Sequence, residues 1–120
     1  MENDIPPLTY RFKILSYRVI DGDSVVLDLD LGLGLRTTES VRLADINAAE
    51  TRTKNLEEKA RGIAARNWLQ TSMDNAQELV LETLEFNRGR YGRLIGYILA
   101  DGVNLNRVML EERIVQPYSV

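Results

Sequence analysis

The 120-residue sequence has no cysteine and no histidine. Their absence excludes zinc sites of Cys/His type, thiol nucleophiles, Ser-His-Asp triads and any imidazole general base. Acid and base work therefore falls to carboxylates, arginines or water. Lack of cysteine also means that folding needs no oxidising compartment, though it assigns none. Of only three prolines, two stand at 6 and 7. They lie in a polar stretch that reads as a loose, disordered leader over 1–8, with one folded domain expected over 9–118. No run approaches the roughly 18 apolar residues of a membrane span, and no basic segment leads into an apolar one at the start. A soluble monomer with no membrane association is expected, cytoplasmic as the sequence is given. The abrupt end at Tyr118-Ser119-Val120 is compatible with a domain cut from a longer protein.

A chain of 13.7 kDa can bury a real core as one domain without disulfides or a structural metal. Its net charge of −3 and pI near 5.0 argue mildly against gripping nucleic acid by bulk electrostatics. The distribution softens that objection. Windows 42–66 and 86–93 hold nine of the fifteen basic residues (Arg42, Arg52, Lys54, Lys59, Arg61, Arg66, Arg88, Arg90, Arg93) against four acids.

Aromatic and β-branched residues over 10–20 favour a strand, broken by the turn former Asp21-Gly22-Asp23. Residues 24–31 alternate with period two: Val25, Leu27, Leu29 and Leu31 on one side, Val26, Asp28 and Asp30 on the other. After a reversal spanning 32–39, residues 40–44 return as a third strand with Val41 and Leu43 inward and Arg42 outward. Asn55, with Glu58 three residues on, predicts a capped helix start. Its apolar stripe is read as Ala60, Ile63, Ala64 and Trp68, extended by Ala65, Leu69 and Met73, with Trp68 a core anchor. Glu57 and Glu58 in the first turn compensate the helix dipole. Strands follow over 78–86 and 94–99, the second apolar enough to suggest burial on both faces, and then a short helix over 105–113. Three strands, a helix, two strands and a short helix is the order of a mainly β, α+β architecture: the OB-fold, a five-stranded Greek-key barrel.

In that fold the loops joining strands 1–2 and 4–5 flank the usual oligonucleotide groove. Here those loops are IDGDS at 20–24 and RGRYGR at 88–93, and RLADINAAE at 42–50 leaves the third strand nearby. Carboxylates and arginines so gathered suit metal-assisted attack on a phosphodiester: oxygen ligands hold a hard cation while guanidiniums neutralise the phosphate.

VIDGDSVVLDLDLG, VRLADINAAE, the EEKARG helix start, RYGRLIGYI and DGVNLN, in this order over roughly 10–118, resemble the staphylococcal nuclease-like (thermonuclease) family. The resemblance implies an OB-fold and a calcium-dependent nuclease that hydrolyses DNA and/or RNA with little sequence specificity. It further implies Asp23 as a Ca2+ ligand with Asp21 behind it in the same turn, Asn47 at the position of a second ligand, and the Ala48 backbone carbonyl as a third. Glu50 would activate the attacking water, Arg42 and Arg93 would hold the phosphate, and Arg90 and Tyr91 would lie beside the bound nucleotide. Besides a hairpin over 23–42 a few residues longer than is usual and the lack of a final family helix, two departures bear on the site. Ala49 replaces a proline usual before the glutamate, which loosens the turn. Asn47 replaces an aspartate, keeping an oxygen ligand but removing a charge, so calcium affinity and activity are expected to fall. Asp45 is expected to point away from the site. The alternative is a catalytically weak or inactive OB-fold module that binds single-stranded nucleic acid or a protein partner.

Overall fold

The structure, a computed structural model, describes residues 9–88 and 92–118, with the backbone alone for 84–88. The leader expected over 1–8, together with Arg90 and Tyr91, lies outside the described residues. The elements follow as β1 (Thr9–Asp21), β2 (Ser24–Gly32), β3 (Leu35–Leu43), β4 (Ile46–Asn47), α1 (Leu56–Asp74), β5 (Leu79–Arg88), β6 (Leu94–Ala100), β7 (Val103–Asn104), α2 (Leu105–Glu111) and β8 (Gln116–Pro117).

β1 is long enough to serve two neighbours. Its first residues pair antiparallel with β5 (Phe12 with Leu81), and its second half pairs with β2 (Tyr17 with Leu27). Irregularities after Ile14 and Val19 bend it between the two. β2 pairs with β3, β5 with β6, and a parallel contact of β3 with β6 (Val41 with Leu94) closes the sheet into a barrel. This is the five-stranded Greek-key order expected from the sequence. Inward residues of every strand, among them Ile14, Val25, Leu27, Leu29, Val41, Leu43, Leu81 and Ile98, meet Leu69 and Met73 of α1 in one core.

Four expectations need correction. β3 begins at Leu35, not at 40, because the polar run 35–40 belongs to an arm where both faces meet solvent and hydrophobic alternation cannot appear. There Arg36 pairs with Asp28 across the hairpin, and Leu31 at the arm's end is exposed. β6 is buried on one face only: Leu94, Gly96, Ile98 and Ala100 are buried while Ile95, Tyr97 and Leu99 are partly exposed. The buried row of α1 is Gly62, Ala65, Leu69 and Met73; Ala60 and Ala64 face water, and Ile63 and Trp68 lie at the edge of the packed face. α2 ends at Glu111, two residues short of the expected limit. The start of α1 is as expected: Asn55 Oδ1 accepts from the Glu58 amide at 3.0 Å, and Glu57 and Glu58 occupy the first turn. No helix among the described residues is long and apolar enough to cross a membrane.

Candidate active site

The β1–β2 turn and the segment leaving β3 meet through carboxylates. Asp23 Oδ2 accepts the Ala48 amide at 2.9 Å and lies 3.5 Å from Arg42 Nη1, while Oδ1 accepts from Ser24 Oγ at 3.0 Å. Two residues earlier, Asp21 Oδ1 accepts from Thr51 Oγ1 at 2.7 Å. The D-G-D turn thus grips the 48–51 loop at two points. The strand register supports this, since Ser24 faces Arg42 and the Asp23 carbonyl accepts from the Leu43 amide at 2.8 Å.

Arg42 points out of the core, as its place between Val41 and Leu43 requires. Its Nη2 donates to the Ile46 carbonyl at 3.0 Å and its Nη1 to the Leu43 carbonyl at 3.3 Å. The guanidinium carbon sits 5.2 Å from the centre of the Tyr118 ring. Stacking on a ring fixes the guanidinium plane without consuming N–H donors, so further donors stay available for an anion. Tyr118 is held there because β8 pairs with β4 and the Tyr118 amide donates to the Asp45 carbonyl at 2.9 Å.

The two loops rest on α1 at residues without bulk. A Cβ on Gly62 would come within 2.5 Å of the Glu50 carbonyl oxygen and 2.8 Å of that of Ala49. One on Gly22 would meet the Ala65 Cβ at 2.8 Å and the Ala48 Cβ at 3.0 Å. The distance between helix and site is therefore set by small residues, and Glu50 is carried on a backbone that touches α1 directly. On the other side Asn106, 1% exposed, receives the Ile98 amide at 3.2 Å and donates to the carbonyls of Ala44 (3.0 Å) and Gly96 (3.2 Å). It fixes the chain at the end of β3, one residue before the turn into β4.

The predicted residues fall as follows. Asp21, Asp23, Arg42 and Ala48 come together. Glu50 leaves the same loop with an exposed side chain. Arg93 stands at the entry of β6, just before Leu94 pairs with Val41 on β3, and it makes no ion pair among the described residues. Asn47 is exposed in β4 opposite Gln116 and lines a pocket of about 200 Å³ with Ala48, Ala49, Glu58, Arg61 and Arg113. Asp45 stays out of the site: its backbone is left-handed (φ 70°), and its Oδ2 accepts from Tyr97 Oη at 2.6 Å. That bond, with partial burial, pushes the Tyr97 phenol up to about 12. Thr51, Gly62, Asn106 and Tyr118 were not found from the sequence. Gly62 and Asn106 left a trace, as the last residues of EEKARG and DGVNLN.

Asp23, the Asn47 amide and the Ala48 carbonyl would offer a hard divalent cation the oxygen donors it takes, and each Asp23 oxygen keeps accepting capacity beside the Ala48 amide and Arg42. In charge the set is poor. Among the described residues no group of three or more Asp, Glu, His or Cys side chains is placed to hold a metal ion.

The profile of the family described as staphylococcal nuclease homologue matches residues 40–118. That span includes Arg42, Asn47, Ala48, Glu50 and Arg93 and leaves out the D-G-D turn, although the sequence resemblance extends back to about residue 10. No curated protein matches the chain.

Proposed function

The chain belongs to the staphylococcal nuclease homologue family, an OB-fold family of nuclease type, and on that premise we propose that it hydrolyses phosphodiester bonds in DNA and/or RNA with little sequence specificity and in dependence on calcium. The observation that carries the reading is the Asp23 node, which ties Arg42 and the 48–51 loop to one carboxylate. Arg42, with its plane fixed by Tyr118 and two carbonyls, binds non-bridging phosphate oxygens and stabilises the charge that grows on them. Arg93 does the same from the entry of β6. Glu50 takes a proton from the water whose oxygen attacks phosphorus; the opposite P–O bond breaks and the leaving oxygen is protonated from solvent. Calcium, held by Asp23, the Asn47 amide oxygen and the Ala48 carbonyl with Asp21 behind them, would supply a Lewis acid that polarises phosphate and acidifies water.

A second reading is favoured by one observation, the amide at 47 where a carboxylate would raise the charge of the donor set. On that reading the domain binds single-stranded nucleic acid or a protein partner with little or no hydrolysis. Incubating single-stranded DNA with the protein in calcium, and then in chelator, separates the two. The nuclease reading expects cleavage that chelator abolishes. Intact DNA at high protein and calcium, with salt-sensitive binding, would overturn it in favour of the binding module.

A further inference from the structure

Beyond the Asp23 node, the pocket beside Asn47 has no assigned role. One wall is α1, contributing Glu58 and Arg61; the other is the segment after α2, contributing Arg113 and Gln116; Asn47 and Ala48 form the shared edge with the site. Arg61 and Arg113 make no ion pair among the described residues, with Glu58 or with any other carboxylate, so two cations of this pocket are unneutralised. The backbone at Arg113 is informative. The Ile114 amide donates to the Met109 carbonyl at 2.9 Å and the Arg113 amide to that of Leu110 at 3.1 Å, the closure of a helix whose following residue is left-handed and usually glycine. Arginine occupies that position at φ 59°. A residue with a long cationic side chain is held in a strained backbone conformation in the lining of a pocket that adjoins the site.

We propose that Arg61 and Arg113 form a second phosphate subsite, taking the backbone of a polynucleotide that continues past Asn47 from the phosphate held by Arg42. The inference rests on the nuclease reading for the nature of the ligand. Guanidiniums suit it because phosphate oxygens accept planar, paired donors whatever base they carry, and the Asn47 and Gln116 amides offer neutral donors to sugar and phosphate. The subsite makes the protein prefer strands over dinucleotides.

The test uses Glu50→Gln protein in calcium, so that substrate survives, and compares binding of a single strand of about twelve nucleotides with that of a dinucleotide bearing terminal phosphates. Arg113→Gly and Arg61→Gln are then added singly and together. Arg113→Gly relieves the backbone strain, so loss of folding does not confound it. The subsite predicts that the ratio of strand to dinucleotide affinity falls by about tenfold in the double variant, and that the salt dependence of strand binding flattens by about one unit of log–log slope. An unchanged ratio overturns the subsite, whether both affinities fall together or neither moves. Failure of the Glu50→Gln parent to bind either nucleic acid overturns the nuclease reading along with it, which sets that outcome apart from failure of the subsite alone.

Discussion

Asp23 divides its two oxygens among Ser24, Ala48 and Arg42, and so joins two chain segments that are twenty-five residues apart. Asn47, next to the loop amide it holds, is where chemistry and charge diverge most. Replacing the amide with a carboxylate keeps the size and adds a negative charge to the loop whose Ala48 amide Asp23 holds. With calcium the added charge should raise affinity on the order of tenfold, and cleavage with it, as read by calorimetric titration and by rate. No change in calcium affinity would show that position 47 does not ligate. At this scale the meeting of the D-G-D turn with RLADINAAE was legible from the order of the elements, and the structure joins Asp21, Asp23 and Arg42 to the 48–51 loop. Thr51 and Tyr118 were not, because a hydroxyl that buttresses a carboxylate and a ring that stacks on an arginine have no local pattern. Asp45 shows the converse: it stands in the most charged stretch, yet its left-handed backbone and bond to Tyr97 make it part of the frame.

α1 is the element on which the site is built, and its sequence shows why hydrophobicity found Ala65, Leu69 and Met73 on its packed face but missed Gly62. Ala60 and Ala64 scored as apolar, while Gly62, with no side chain to score, is the residue that lets the helix touch the 49–50 carbonyls. Gly62→Ala adds helix propensity of about 1 kcal/mol. It also forces a methyl group against a backbone oxygen, and overpacking of this kind costs about 1–3 kcal/mol. The net expectation is a loss of up to about 2 kcal/mol in urea unfolding, with a larger fractional loss of cleavage because Glu50 rides on the displaced loop. Equal stability and activity would show that the contact yields freely. Among the strands, those with one face in the core were legible from alternation, as in Val25, Leu27 and Leu29. The outer half of β3 was not, since Thr37, Thr38 and Glu39 pair through backbone in an arm that has no buried face.

In the whole molecule, closure of the barrel through the parallel β3–β6 contact brings Arg93 to the edge that carries Arg42. Element order predicted that juxtaposition, whereas the short pairings β4–β8 and β6–β7, two residues each, were too brief to leave a periodic signal. The overall acidity of the chain is compatible with a nucleic-acid substrate because Arg42 lies at the site and Arg61 and Arg113 line its neighbouring pocket. Binding should accordingly weaken with salt. The claim that this arrangement performs hydrolysis is tested most directly by single-turnover cleavage of a labelled single strand in calcium, with wild-type and Glu50→Gln protein side by side and binding of the same strand followed in parallel. Cleavage by the wild type is expected, with a rate lower by about 10²- to 10⁴-fold in the variant, which still binds the strand. Equal rates in the two proteins, or an intact strand with the wild type at saturating protein and calcium, would contradict it.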